Sequence, residues 1–384
     1  MVLSKLFNDF FNSEKAGGLV LIFCTALSLF LANSQWQHSY TQIWHTNIGG
    51  HSLEYWINDG LMTIFFLLIG LELEREIYIG ELSNLKNALL PVTGAFGGML
   101  VPAGLYLLFN YGTPTESGAG IPMATDIAFS LGILALLGSK VPTSLKIFLT
   151  ALAVIDDLGS IMVIAIFYSG AIAWLNLIIS LLSFAVLLVL NRMKVHVLLP
   201  YLIGGFIMWY FMLQSGVHAT ISGVLLAFAI PFSDGSEDSV SHKLQNFLHK
   251  PVAFVIMPLF ALANTCIIIG GDWQQSLLSN SSLGIFSGLV AGKLIGILLF
   301  SFIAVTLGIC SLPQDVKWKH IAGAGLLAGI GFTMSIFITH LAFTDNEIIN
   351  NAKFMVLVAS LVSGMLGFIW LKIALQKDSL KATI

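Results

Sequence analysis

The sequence predicts an all-α membrane protein that crosses the bilayer many times. Hydrophobic residues make up 57% of the 384 residues and charged residues only 10%, whereas soluble domains carry about 25% charged residues. The mean hydropathy is +0.90, and the apolar residues fall in runs of about 20, the length that an α-helix needs to cross a bilayer. The basic residues form no patch interleaved with aromatic residues, so nucleic-acid binding is not expected.

Twelve apolar segments are predicted to span the membrane, near residues 16–33, 54–76, 86–110, 119–138, 142–168, 173–191, 195–212, 215–231, 247–269, 282–310, 318–342 and 350–372. An even number of spans leaves both termini on one side. If that side is the cytoplasm, nearly every loop Lys and Arg lies there, as the positive-inside rule requires. Lys353, at an outer edge, is the one exception. Both termini are therefore predicted to be cytoplasmic.

The fifth span carries two adjacent carboxylates, Asp156 and Asp157, at its centre. One charge at that depth costs about 2.5–3.5 kcal/mol on insertion scales, and two neighbouring negative charges also repel each other. The pair therefore predicts an ion or proton site. The alternative is that both carboxylates are neutral or salt-bridged packing residues.

The tenth span contains Lys293, which lies too deep for its ammonium group to reach the interface. A buried ammonium needs a counter-charge, and the carboxylate pair of the fifth span is the natural candidate. The alternative is that Lys293 contacts backbone carbonyls only.

Two spans, one in each half of the chain, are predicted to be interrupted helices. In the fourth span Pro122 removes a backbone donor, and Thr125 and Asp126 follow at once. The eleventh span contains Gly323, Gly325, Gly329 and Gly331. Two such spans indicate a binding site near the bilayer midplane, where Asp126 and Lys293 would neutralise the ends of the half-helices. For the eleventh span, the alternative is that the glycines only permit close helix packing.

Polar segments lie at both membrane surfaces. Residues 35–53 contain Asn47-Ile-Gly-Gly between aromatic and β-branched residues, which predicts a small outer β-hairpin and a dimer contact. On the inner side, residues 233–250 combine acids with histidines, and the run Glu72-Leu-Glu-Arg-Glu closes the second span. Both inner segments are either pH-responsive or simply solvated polar residues.

Five motifs are spread along nearly the whole chain. They are Trp56-Ile-Asn-Asp-Gly-Leu-Met, Phe65-Phe-Leu-Leu-Ile-Gly-Leu-Glu, Ala124-Thr-Asp-Ile-Ala-Phe, Ala151-Leu-Ala-Val-Ile-Asp-Asp-Leu-Gly and Gly329-Ile-Gly-Phe-Thr-Met-Ser. Together they resemble the NhaA family of bacterial sodium/proton antiporters. The resemblance implies one domain over residues 1–384, with inverted repeats at about 86–168 and 282–372 and with the two interrupted spans crossing. It also implies a homodimeric inner-membrane protein that needs no cofactor and is not an enzyme.

The resemblance also implies roles for individual residues. Asp157 is expected to carry Na⁺ and H⁺, Asp156 to pair with Lys293 when Na⁺ is absent, and Thr125 to offer a further oxygen ligand beside Asp126. Asp59 is expected in an outward funnel, and the residues expected to set the pH response are Glu72, Arg75, Glu76, His218 and His249. One departure is at the ninth span, where Gln245 and Asn246 stand in place of the acid and a further histidine of the family's pH-responsive cluster.

The predicted function is therefore electrogenic, pH-regulated export of Na⁺ or Li⁺ in exchange for H⁺. Burial favours the protonated form of a carboxylate, so one site can hold either a proton or a metal ion, and mutual exclusion at such a site is sufficient for antiport. A sodium-coupled symporter of organic solutes is the alternative on a similar scaffold, although few polar residues lie beyond the crossing. An intramembrane aspartyl protease would place its two Asp on separate helices, unlike the contiguous pair here.

Overall fold

The computed structural model is almost entirely helical and describes residues 2–168, 170, 172–232, 236, 238–270 and 273–382. Within those residues the α-helices are α1 (Val2–Ala32), α2 (Gln37–His45), α3 (Leu53–Tyr55), α4 (Met62–Tyr78), α5 (Leu85–Asn110), α6 (Ile127–Leu136), α7 (Thr143–Phe167), α8 (Trp174–Arg192), α9 (Leu198–Leu213), α10 (Ile221–Ala229), α11 (Val240–Pro251), α12 (Met257–Asn264), α13 (Trp273–Leu277), α14 (Asn280–Phe286), α15 (Lys293–Thr306), α16 (Trp318–Ala328), α17 (Phe332–Ala342) and α18 (Asn346–Ala382). The predicted all-α class is confirmed.

Short π-helical turns join several of these helices into continuous spans. They lie at Trp56–Leu61, Val252–Ile256 and Ser287–Gly292, so that α3 runs into α4, α11 into α12 and α14 into α15. Three 3₁₀ segments, Glu81–Ser83, Glu116–Met123 and Gly138–Lys140, complete the helical elements of the described residues. The first π turn carries Asp59, and Lys293 directly follows the third, so two of the predicted functional residues lie in or next to an irregular part of the helical ladder.

The structure supports fewer membrane spans by length than the twelve predicted. Among the described residues, eight helices are long and apolar enough to cross a membrane, or up to ten if each of two bent pairs is one span. The predicted seventh span has a helix of 16 residues, α9, and the predicted eighth has one of 9 residues, α10. At 1.5 Å per residue, α10 reaches less than half of a hydrocarbon core about 30 Å thick.

The predicted outer hairpin over residues 35–53 is wrong in extent. Nine of its 19 residues form helix α2, which turns back from α1 at an angle of 116°. Only two-residue strands pair, β1 (Asn47–Ile48) antiparallel to β2 (His51–Ser52), across the left-handed turn at Gly49 and Gly50. The helix forms because Tyr40 and Trp44 are four residues apart, and both are buried on one face with their ring centroids at 5.7 Å.

The helices pack in two groups. In the first, α5 packs against both α7 and α15, and α18 packs against α16 and α17. In the second, α4 packs against α10, α8 against α9 and α1 against α12. The carboxylate pair on α7 and the lysine at the start of α15 both belong to the first group. Helix α1 also contacts α6, so it joins the second group to an interrupted span of the first.

Helices α5 and α15 approach closely through facing glycines. A Cβ atom on Gly296 would overlap the carbonyl group of Gly97, and a Cβ atom on Gly97 would overlap the carbonyl oxygen of Gly296. Small residues permit such backbone contact in membrane helices. Lys293 lies one turn from Gly296 on α15. The distance between the two helices at this contact therefore sets the position of the lysine among the helices of the first group.

We therefore expect Gly296→Ala to destabilise the protein by about 1–3 kcal/mol, because the added methyl group forces two backbones apart. The measurement is the thermal unfolding midpoint of the purified protein. Gly104→Ala on α5 is the matched control, since a Cβ atom there has nothing within 4 Å and alanine is favoured over glycine in a helix. Equal midpoints for the two variants would contradict the close contact.

Candidate functional site at the crossing of two interrupted helices

The two interrupted spans meet at their breaks. In the first, a 3₁₀ segment ends at Met123, three non-helical residues follow, and α6 begins at Ile127. In the second, α16 ends at Ala328 and α17 begins at Phe332, with a bend of 47°. The backbone N–H of Asp126 donates to the carbonyl oxygen of Ile330 at 2.6 Å. Each break frees backbone groups that lack a partner within their own helix, and this hydrogen bond pairs one group from each break. Such pairing is required because buried backbone in a membrane has no water to bond with.

Asp126 lies between the N-termini of two half-helices. Its Oδ1 accepts from the backbone N–H of Phe129 at 3.0 Å, which makes it the N-cap of α6. Its Oδ2 accepts from the backbone N–H and the hydroxyl of Thr333 at 3.1 and 2.5 Å, in the first turn of α17. The positive ends of both helix dipoles therefore face one carboxylate that is 1% exposed.

Lys293 forms a buried ion pair with Asp156. Its ammonium nitrogen is 2.5 Å from Asp156 Oδ2, and neither side chain is exposed. The same nitrogen donates to the carbonyl oxygen of Met123, at the C-terminus of the 3₁₀ segment. The lysine thus satisfies both a carboxylate and the negative end of a half-helix.

Thr125 links the ion pair to the second break. Its hydroxyl is 2.8 Å from Asp156 Oδ2 and 2.8 Å from the carbonyl oxygen of Ala328, the last residue of α16. The hydroxyl has a single hydrogen, so it donates to one of these oxygens at a time. Thr125 therefore connects the carboxylate on α7 with the open end of α16.

Asp157 is buried beside this network without joining it. Among the described residues, neither oxygen of its carboxyl group has a hydrogen-bond partner, and the same holds for Asp156 Oδ1 and the hydroxyl of Ser160. All three residues are at most 1% exposed and lie within about one turn of α7. Unpartnered buried polar atoms cost about 1–3 kcal/mol each. Carboxylate and hydroxyl oxygens are also the ligands that a hard cation such as Na⁺ prefers.

A small cavity extends from Asp126 towards a second polar pair. Glu72 and His249 lie 3.8 Å apart, measured from Oε1 to Nε2. Both residues line a cavity of about 70 Å³, together with Asp126, Thr333 and residues of α1 and α12. A space of that size holds a few water molecules. Two residues predicted for the pH response, Glu72 and His249, are therefore near the crossing, whereas Arg75 and Glu76 follow on α4 outside the cavity lining.

Other predicted residues are not brought to the crossing. Asp59 lies about 20 Å along the second span from Glu72, and its carbonyl oxygen accepts from Trp209 Nε1 at 3.3 Å. His218 lies between α9 and α10, with Nε2 at 2.9 Å from the carbonyl oxygen of Tyr168. Gln245 is buried in α11, and Asn246 Nδ2 lies 3.0 Å from His242 Nε2.

Part of the inner loop predicted to respond to pH, residues 233–235 and 237, lies outside the described residues.

Four contributors to the site were not predicted as such. Thr333 was part of a quoted motif, but its contact with Asp126 depends on the crossing. The carbonyl groups of Met123 and Ala328 leave no trace in a sequence. Ser160 had a signal, since it follows Asp156 by four residues and so shares its helix face.

Comparison with known proteins places the chain in a family. The family described as Na+/H+ antiporter 1 matches residues 8–371. The Na(+)/H(+) antiporter NhaA of Flavobacterium psychrophilum is 64% identical over 98% of this chain and 98% of its own length. NhaA of Dechloromonas aromatica is 60% identical with the same coverage. The sodium proton antiporter MjNhaP1 from Methanocaldococcus jannaschii shares the fold, with a TM-score of 0.57 over 98% of this chain and 99% of that one at 15% identity. The chain belongs to the Na+/H+ antiporter 1 family.

Proposed function

We propose that this multi-pass membrane protein exchanges Na⁺ for H⁺ at the buried site on α7. The observation that carries the proposal is the isolation of Asp157, whose buried carboxyl group has no protein partner among the described residues and lies beside the Lys293–Asp156 pair. The relatives are named as Na⁺/H⁺ antiporters and not as enzymes. Nothing in the comparisons favours the alternative of a sodium-coupled symporter.

The proposed ligands of Na⁺ are oxygens of Asp157, Asp156 and Thr125. A cation on Asp157 requires that this carboxyl group has lost its proton, so the site holds one cargo or the other. Asp156 can offer its unpartnered Oδ1 to Na⁺ directly, whereas its Oδ2 becomes available only if Lys293 releases it. Loss of a proton from Lys293 at that step would move more than one proton per Na⁺, which makes the exchange electrogenic and sensitive to membrane potential. Li⁺ would replace Na⁺ at the same ligands.

Asp126 is proposed to hold the two half-helices together without binding cargo. Both of its oxygens already accept hydrogen bonds from the first turns of α6 and α17, which leaves little capacity for a cation. Its negative charge balances two helix N-termini, as the Lys293 ammonium balances one C-terminus. The crossing is then a rigid unit that can expose the site to one side at a time.

The proposed organisation is one domain over residues 1–384 with twelve spans and both termini in the cytoplasm of a bacterium, in the inner membrane. In each proposed repeat, about 86–168 and 282–372, an interrupted span follows one long helix and precedes another: α5 and α7 in the first, α14–α15 and α18 in the second. Three spans per repeat would give the inverted topology that such transporters use. The short β1–β2 ladder and α2 are the proposed contact in a homodimer.

A pH response is proposed to act through the cavity of about 70 Å³ beside Asp126. Glu72 and His249 line it together with Asp126, while Arg75 and Glu76 supply further charge on α4. His218 and the outward Asp59 are proposed to contribute to the pH response from outside the cavity. His218 contacts the carbonyl oxygen of Tyr168 at the end of α7, and the carbonyl oxygen of Asp59 accepts from Trp209 on α9. Because Gln245 and Asn246 lack an ionisable group, the pH threshold would rest on fewer titrating residues.

The direct test is transport in everted membrane vesicles. Added Na⁺ should dissipate a preformed pH gradient in the wild type, faster at alkaline than at acidic pH because protons then compete less for Asp157. Asp157→Asn should abolish the response, since an amide neither binds a proton in this range nor offers a charged ligand. The control is Asp345→Asn, an exposed cap of α18 whose function asparagine retains. An undiminished response with Asp157→Asn would overturn the assignment.

A second test addresses the ion pair. Lys293→Met should lower the free energy of unfolding by about 3–5 kcal/mol, because it leaves the buried Asp156 carboxylate without its counter-charge. Adding Asp156→Asn to that variant should recover much of the loss, since no buried charge then remains in the pair. Thermal midpoints of purified protein provide the comparison. A double variant less stable than Lys293→Met alone would contradict the pairing.

A further inference from the structure

An apolar crevice opens sideways between three helices of the protein. It has a volume of about 530 Å³ and is lined by residues of α1, α6 and α18, with Ile330 and Phe332 of the second interrupted span as its inner wall. Large apolar side chains on its rim are exposed, among them Leu136 at 60%, Leu361 at 65% and Met365 at 55%. The crevice therefore faces the hydrocarbon of the bilayer and reaches the interrupted helix behind it.

The lining contains only two polar side chains among the described residues, and both already make a hydrogen bond within the protein. The Thr25 hydroxyl donates to the carbonyl oxygen of Leu21 at 2.8 Å, and the Ser360 hydroxyl accepts from the backbone N–H of Phe332 at 3.1 Å. The remaining lining side chains are apolar or glycine. A peptide or a polar solute would lose its own hydrogen bonds there, whereas a hydrocarbon chain would lose none.

The crevice is about as long as one bilayer leaflet is thick. On α18 its lining runs from Leu357 to Phe368, which is about 16 Å of helix, and one leaflet of hydrocarbon is about 15 Å thick. The break packs against the middle of this stretch, since Ser360 accepts from the backbone N–H of Phe332 and a Cβ atom on Gly364 would lie 3.4 Å from Ile330. The end of the crevice at Leu357 therefore extends past the break. Its other end, at Phe368, is where α6 ends at Leu136, on the side that carries the proposed cytoplasmic loops.

Basic side chains lie at that other end of the crevice. The Lys372 ammonium lies 5.8 Å from the ring centroid of Phe368, a residue that lines the crevice. Seven residues beyond Phe368 on the same face of α18, Leu375 lines a polar pocket of about 390 Å³ with Lys140, Lys317, His320, Asp315, Gln314 and Pro142. The lysines outnumber the one acid, so an anionic headgroup fits this end.

We propose that this crevice is a binding site for an anionic glycerophospholipid of the inner leaflet. One acyl chain lies between α1, α6 and α18 and packs against Ile330 and Phe332, and the phosphate lies near Lys140 and Lys372. Because the occupied crevice touches a half-helix of each interrupted span, the bound lipid stabilises the crossing. The site is separate from the proposed cation ligands, and its test does not depend on transport.

The experiment uses the purified full-length protein with phosphatidylglycerol or phosphatidylcholine added to detergent. Phosphatidylglycerol should raise the thermal midpoint more than phosphatidylcholine. The variant Lys140→Gln with Lys372→Gln should lose that difference, while the control Arg192→Gln with Lys250→Gln, which removes the same charge from exposed positions elsewhere, should keep it. An equal effect of the two lipids on the wild type, or a difference that survives in the first variant, would overturn the proposal.

A second measurement locates the acyl chain. Phosphatidylglycerol with a photoreactive group at the end of one chain should label peptides that contain Ile330, Phe332 or Leu357, as read by mass spectrometry. Ala26→Trp should suppress that labelling, because Ala26 is an exposed residue of the crevice lining and an indole ring fills the space. Labelling that is unchanged by Ala26→Trp, or a change of oligomeric state in that variant, would show that the crevice holds something other than this lipid.

Discussion

The site depends on how the charges of buried carboxyl groups are balanced where bulk water does not reach them. Three carboxyl groups, Asp126, Asp156 and Asp157, and one ammonium group are buried together. Asp126 is balanced by two helix N-termini, and Asp156 by the ammonium of Lys293. Among the described residues, Asp157 has no fixed hydrogen-bond partner. In the proposed mechanism a proton or a sodium ion provides the balance there, which would be the physical basis of exchange at this residue.

The interrupted helices are what make this balance possible. An unbroken helix presents no free N–H or carbonyl groups at its middle, whereas each break creates one positive and one negative end. The 3₁₀ segment that ends at Met123 and the helix α16 that ends at Ala328 supply the two negative ends. Lys293 and the Thr125 hydroxyl contact these carbonyl groups, while Asp126 meets the positive ends. The same atoms therefore fix the crossing beside Asp157, the proposed carrier.

Much of this site was predictable from the sequence because its parts violate the rules of a membrane interior. Asp156, Asp157 and Lys293 are charges within apolar runs, and Pro122 interrupts a span. The need of Lys293 for a counter-charge pointed to the carboxylate pair 137 residues away, and the structure pairs it with Asp156. The contact of Thr333 with Asp126 was less predictable, because it follows from a crossing of segments 207 residues apart. The main error was the outer hairpin, where the pattern of aromatic and β-branched residues suggested strands although Tyr40 and Trp44 have helical spacing. The short helix α10 also shows that an apolar run need not be one span-length helix.

In the proposed mechanism, one buried carboxyl group holds a proton or a sodium ion but never both. Isothermal titration of the purified protein with Na⁺, at one pH in two buffers of different ionisation enthalpy, measures the protons released per ion bound. Each bound Na⁺ should release protons to the buffer, so that the observed heats differ between the buffers. Saturable Na⁺ binding with identical heats in both buffers would contradict it.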